Sequence, residues 1–352
     1  MAWIMLRIDY SIYGRLASSI SMKTFSHDTQ ESCNCLEKTN LQLQAMTSII
    51  QTSKGLGFTP YYKFENFWYP EHLLPVTLDM QATFKAQPSD IILATMMKSG
   101  TTWLKAIIFA VVNRHLYTNT HKNHPLLKSS PHDCFPFIHS IYEKNNQNQL
   151  DSMPSPRLLA VHVPFSHLPA SITDSGCKVV YLCRNPKDAF VSLRHYLDKM
   201  KPVGCEMTPF DKAFEMFCQG VFPFGPFWDQ MLEYWTESIK SPEKVLFLKY
   251  EDLKEDLAEN IKKLAEFLGC SFSAEEVKRG VVEEIVQLCD FETMKNVKAN
   301  KEGEHGALVR FKNSGFFRKG KIGDWKDHIT PDMAERVDKI IEQKLLGYGL
   351  MF

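Results

Sequence analysis

The sequence predicts an α/β fold, an open parallel sheet with helices on both faces. Three observations carry it. Four short runs rich in Val, Ile and Leu, at 91–95, 157–163, 178–183 and 244–249, have the unbroken apolar character of strands buried on both sides. Segments of helical period lie between or after them. Alternation of the two signals makes each strand-to-helix passage a crossover in one parallel sheet.

The first run, Ile91-Ile92-Leu93-Ala94, leads through Thr95-Met96-Met97-Lys98-Ser99-Gly100-Thr101-Thr102 into a helix marked by Trp103, Leu104, Ile107, Ile108, Val111 and Val112. The third passes through Cys183-Arg184 to Asn185-Pro186, which suit N-cap and N1 of a helix burying Ala189, Phe190, Leu193 and Leu197. After the fourth, Leu253, Leu257, Ile261, Leu264 and Leu268 form one amphipathic stripe closed by Gly269. Thr330-Pro331 opens a last helix with Val337, Ile340, Ile341 and Leu345 inward. Segments 117–156 and 198–227, rich in Pro, Asn and His or in Pro, Phe and Gly, read as long surface insertions. The aromatic stretch Tyr61 to Pro70 reads as packing onto the domain or lining an apolar pocket. Residues 1–50, polar, Ser-rich and aperiodic, are expected to be a poorly structured N-terminal extension, with one domain over 51–352.

Composition narrows the function. Lys plus Arg equals Asp plus Glu, 41 each, so a general nucleic-acid binder is disfavoured and any anion site is local. Nine cysteines show no Cys-x-x-Cys pair, which fits reduced thiols in a cytoplasmic protein better than zinc or disulfides. No stretch of 18 apolar residues is present, and no membrane span is expected.

The chemistry concentrates where strands end. A strand feeding a helix N-terminus through a loop with one Lys, one Gly and several hydroxyls is an anion site, because the first helical N–H groups lack backbone partners. The Walker A pattern does not fit: Lys98 precedes Gly100, and no apolar run ends in a magnesium-holding Asp. His162 ends the 157–163 run, read as the carboxyl end of a central strand, where ligands bind. Arg184 ends the 178–183 run, where a guanidinium can fork onto phosphate. Residues 295 to 321 hold eight Lys or Arg against two acids, and Phe317-Arg318-Lys319-Gly320 suits a second phosphate clamp.

These residues resemble the cytosolic sulfotransferases that use 3′-phosphoadenosine 5′-phosphosulfate (PAPS), and most of all the plant branch. The resemblance runs from about residue 55 to 352 through four motifs in the family's order: Lys98 to Trp103, Arg157 to Pro164 with His162, Arg184 to Ser192, and Arg318-Lys319-Gly320 leading to Gly323-Asp324-Trp325. It implies a single-domain α/β fold on a P-loop-like nucleotide-binding core. It implies that Lys98, Ser99, Gly100, Thr101 and Thr102 hold the 5′-phosphosulfate, with Trp103 stacking on adenine. Arg184, Ser192, Arg318, Lys319 and Gly320 would take the 3′-phosphate. Tyr250 and Cys289 would sit by the base, with Phe291 as second stacking aromatic. His162 would be the catalytic base, and Lys98 would assist the leaving group.

Two positions depart from the family, Met97 where Pro is usual and Val161 where Thr is frequent. A dimer motif is nearly met by Lys326, Thr330 and Glu335, with Pro331 in place of its Val, so the chain is expected to be a monomer or homodimer. The expected reaction is metal-free sulfuryl transfer to a hydroxyl of a small metabolite; plant relatives act on flavonols, steroids, hydroxylated jasmonates or desulfo-glucosinolates. The expected acceptor pocket draws on the 61–69 aromatics, both insertions and the 296–312 loop, and their many phenylalanines favour a flat or greasy acceptor. The alternatives are a P-loop small-molecule kinase and an inactive binder of the same nucleotide.

Overall fold

The four apolar runs form one parallel sheet in the computed structural model, which describes residues 51–117, 123–305 and 311–351. The expected extension over 1–50 lies outside the described residues. An antiparallel meander comes first: β1 (Thr52–Ser53), β2 (Tyr61–Phe64) and β3 (Phe67–Pro70). The sheet strands are β4 (Ile91–Thr95), β5 (Leu158–Val161), β6 (Lys178–Cys183) and β7 (Val245–Lys249), in spatial order β5-β4-β6-β7. Leu93 lies beside both Ala160 and Val180 in the ladder. From β4 the chain steps to one side, into β5, and then back across to β6. A crevice therefore opens beyond the carboxyl end of β4.

Helix α1 (Thr101–Asn113) follows β4 and buries Leu104, Ile107, Ile108 and Val111 against Leu93 and Val180. Helix α2 (Pro186–Met200) follows β6, and the Asn185 side chain caps it by accepting from the Lys187 N–H (3.0 Å). Helix α3 (Phe227–Lys240) covers the opposite face, where Tyr234 stacks on Tyr181 at 4.1 Å between centroids. The stripe over 253–268 is broken once, into α4 (Tyr250–Glu255) and α5 (Leu257–Phe267). Asp256, with φ −139°, ends the first and caps the second through Glu259 N–H. The last helix, α6 (Pro331–Leu345), is capped by Thr330 and buries Val337, Ile341 and Leu345. Glu335 of the near dimer motif pairs with Lys339 of its own helix (2.6 Å).

Both expected insertions need correction. Within 117–156, Phe135, Ile138, Ile141 and Tyr142 are buried, and Pro136 accepts a hydrogen bond from the Ala160 N–H (2.9 Å) beside β5. Within 198–227, a helix at Phe210–Cys218 turns Phe214 and Phe217 inward, and Phe222 and Phe224 are also buried. Their Pro, Asn and His content masked apolar residues whose contacts are all tertiary. The aromatic stretch is a hairpin whose turn, Glu65-Asn66, has φ of 45° and 75°, the positive pair of a type I′ turn. Among the described residues no helix is long and apolar enough to cross a membrane.

Candidate active site

One cavity of about 520 Å³ opens at the carboxyl ends of the sheet strands, and of the fifteen sequence-predicted site residues all but Ser99 line it. Ser99, between Lys98 and Gly100, is fully buried. The loop after β4 is shaped by two positive φ angles, Lys98 at 67° and Gly100 at 107°. A side chain at Gly100 would place its Cβ 2.7 Å from the Tyr250 ring, so only glycine lets loop and ring meet. The first intrahelical bonds of α1 run from Trp103 N–H (3.0 Å) and Leu104 N–H (3.1 Å) to Gly100 C=O, leaving the preceding N–H groups at the cavity.

Lys98 Nζ lies 4.2 Å from the Tyr196 ring centroid and 5.8 Å from that of Phe316. Burial, reinforced by the positive charges of Arg184, Arg318 and Lys199, lowers its pKa to about 7. Ser99 Oγ, Arg184 Nε and Arg318 Nε are buried without hydrogen-bond partners among the described residues. Orphaned polar atoms on one hydroxyl and two guanidinium groups, with an uncompensated ammonium, fit a polyanion.

His162 stands one residue past β5, which is an outer strand of the parallel sheet and not the central one expected, because β4 and β6 pair inside it. Its Nδ1 lies 2.7 Å from Thr95 C=O and 3.2 Å from Thr95 Oγ1. A carbonyl only accepts, so Nδ1 carries the proton and Nε2 keeps its lone pair. Burial lowers the His162 pKa to about 3, against the opposing pull of the Thr95 bond, so the ring is neutral near pH 7. Gln230, fully buried on α3, donates to His162 C=O (2.8 Å) and Phe224 C=O (3.0 Å) and accepts from Tyr181 O–H (3.1 Å). Phe137 and Phe224 flank the imidazole at 4.6 and 5.7 Å.

The other end of the cavity is built by α2, α4 and the 316–325 loop. Arg184 lies over the Tyr250 ring (4.5 Å) and donates to Lys321 C=O (2.5 Å). Asp188, one turn along α2, accepts from the Gly323 and Trp325 N–H groups (2.8 and 3.0 Å) and so ties that loop to the helix. Asp324 pairs with both Arg318 and Lys319. Burial pushes its carboxyl up, but these cations outweigh it and hold it at about 2. Ser192 is buried and faces the cavity; Arg194, two residues on, leaves it to donate to Leu56 and Thr208 carbonyls.

Between the two ends lies an aromatic slot. Trp103 meets Tyr250 edge-on at 5.4 Å and donates its indole N–H to Cys289 C=O (2.9 Å). Cys289 is fully buried, and Gly320 packs flat on Phe291, where a Cβ would come within 2.7 Å of the ring.

The pocket near His162 differs from expectation. Among the described residues its wall includes Phe137, Phe224, His132, His139, Ser140, Glu143, His72, Leu73 and His305, and none of the 61–69 aromatics. The hairpin acts indirectly: Trp68 exchanges backbone hydrogen bonds with Phe224 and Gly225 (2.6 and 2.7 Å), which sets the Phe224 ring. Of the phenylalanines expected to favour a greasy acceptor, Phe135, Phe217, Phe222 and Phe227 are plain core. Thr95, Gln230 and Asp188 carry no role that the sequence suggested, and Asp324 was legible only as a member of the Gly323-Asp324-Trp325 motif. Of the first three, only Asp188, four residues after Arg184, carried a local signal.

A family model described as a sulfotransferase domain matches residues 88–349. The chain is 45% identical to cytosolic sulfotransferase 12 of Arabidopsis thaliana over 312 residues, covering 88% of this chain and 94% of the relative. It is 41% identical to flavonol 4′-sulfotransferase of Flaveria chlorifolia, covering 90% and 99%. A solved Arabidopsis thaliana structure, assigned to a steroid sulphotransferase, superposes with a TM-score of 0.70 at 38% identity over 94% of this chain and 100% of that one.

Proposed function

The chain belongs to the sulfotransferase family, and on that premise we propose that it moves the sulfuryl group of PAPS to a hydroxyl of a small, apolar or aromatic metabolite. The observation that carries this reading is that Lys98 and Arg184, on loops after different strands, line the same cavity as His162. A single nucleotide with phosphate at both ends needs two such cationic ends. On this reading residues 51–352 are the sulfotransferase domain, and the protein is cytoplasmic, as several plant relatives are named cytosolic.

Each residue then has a task. Bound PAPS supplies a phosphosulfate anhydride from which the sulfuryl group can leave. Lys98, Ser99 and the backbone of Gly100, Thr101 and Thr102 hold its 5′ end and offset charge there. Trp103 and Phe291 flank the adenine, with Tyr250 and Cys289 beside it. Arg184, Ser192, Arg318, Lys319 and Gly320 hold the 3′-phosphate. His162 Nε2 accepts the proton of the acceptor hydroxyl while Thr95 holds Nδ1. Phe137 and Phe224, flanking the imidazole, support a flat acceptor.

The test is radiolabelled PAPS offered with a panel of phenols, steroids and hydroxylated acids, and ATP as the control donor. Labelled sulfate on a hydroxyl metabolite is the expected product. Labelled phosphate transfer from ATP, with none from PAPS, would instead make it a kinase.

A further inference from the structure

Lys105 is fully buried on α1, its Nζ lying 3.4 Å from the Phe137 ring centroid and 3.2 Å from His132 Nδ1. His132 Nε2 is 2.9 Å from Thr102 Oγ1, and both residues line the cavity. Lys105 and Thr102 sit one turn apart on the same helix, and His132 bridges them from a distant segment. The carboxylate of Asp133 acts on Lys105 through space and favours its charge.

We propose that Lys105 and His132 are positioning residues that fix the Thr102 hydroxyl as a hydrogen-bond donor to the 5′-phosphate of the bound nucleotide. With an anion bound and Lys105 held as an ammonium, which has donors only, Nδ1 of His132 is the acceptor and the ring proton sits on Nε2. Nε2–H then donates to Thr102 Oγ1, and the hydroxyl hydrogen is left to point at an anion. The opposite tautomer would take that hydrogen for the ring. Burial lowers the Lys105 pKa well below its ordinary value against the opposing pull of Asp133, and an anion two hydrogen bonds away further favours the charged form. Chain charge and ligand charge thus support one another through His132.

The inference rests on the nucleotide reading above, and the experiment separates the two. 3′-Phosphoadenosine 5′-phosphate (PAP) and adenosine 3′-phosphate, which lacks the 5′-phosphate, are titrated calorimetrically into wild type, Thr102→Val, His132→Phe and the double variant. Each single change is expected to weaken PAP by about ten- to a hundredfold, the worth of a hydrogen bond to a charged group, and to leave adenosine 3′-phosphate unmoved. The double variant should lose no more than either single, and His132→Gln, which keeps a donor, should restore most of the affinity. Losses that multiply in the double variant, equal losses for both nucleotides, or full PAP affinity in His132→Phe would overturn the role. Should His132→Phe fail to fold, Lys105→Met replaces it in the same cycle with the same expected pattern. A wild type that binds no PAP would sink the nucleotide reading itself.

Discussion

The Nδ1 of His162 lies 2.7 Å from the carbonyl oxygen of Thr95, the last residue of the neighbouring strand. One backbone acceptor thereby selects the tautomer, aims the free Nε2 and anchors the ring to the most buried strand of the sheet. The family's Thr before this histidine, here Val161, is not needed for that bond, because the partner belongs to β4.

His162→Ala should lower kcat by about 10²- to 10⁴-fold, the usual worth of a general base. PAP affinity measured by calorimetry should stay near wild type. A variant that lost PAP binding yet turned over bound donor normally would remove the assignment.

The pH profile should be one-sided. The His162 pKa, lowered to about 3, keeps the base neutral throughout the range of assay, so no acid limb is expected above pH 5. Lys98 is lowered to about 7, so its ammonium is present below that pH and is lost above it in the free protein. The kcat/KM for PAPS should therefore fall as pH rises through about 7. Lys98→Arg, which cannot be deprotonated, should abolish that alkaline fall whatever its absolute rate.

On the proposed reading, in which Arg184 holds the 3′-phosphate, Arg184→Ala should weaken PAP far more than adenosine 5′-phosphate. A comparable loss for both nucleotides in fluorescence titrations would take Arg184 out of that role.

Gly320→Ala would drive a Cβ to 2.7 Å from the Phe291 ring at a residue with φ of 62°. Nucleotide binding should collapse, while urea denaturation records only about 1–3 kcal/mol of lost stability, the cost of one strained residue. Unchanged binding would show that loop and ring part freely.

Gln230→Leu would strip partners from two carbonyls and the Tyr181 hydroxyl at once. The expected cost is at least about 3 kcal/mol by urea denaturation, at ~1–3 kcal/mol for each of the three buried groups left unsatisfied. A loss under about 1 kcal/mol would mean that water replaces the amide.

Local signals made the core of this protein legible. Strands β4 and β6 and the start of α2 fall where residue type and period put them, because an apolar run, a cap and a proline act within a few residues of themselves. Lys98, Gly100, Arg184 and His162 could be found by the same means, as polar residues at the ends of apolar runs. The packed segment around Phe135 to Tyr142 could not, because its burial depends on the edge of β5 and its composition imitates a loop. Nor could the bonds that hold the site: Gln230 is 68 residues from His162, and Asp188 is 135 from Gly323. The sequence by itself determined a strand-loop-helix passage at Lys98 to Trp103 and the cations at the strand ends, since short-range sterics and helix-end electrostatics need no partner. Tertiary structure alone decided which histidine tautomer faces the cavity, which aromatics wall it and how Lys105 reaches Thr102, since those follow from register and crossover between elements far apart in the chain.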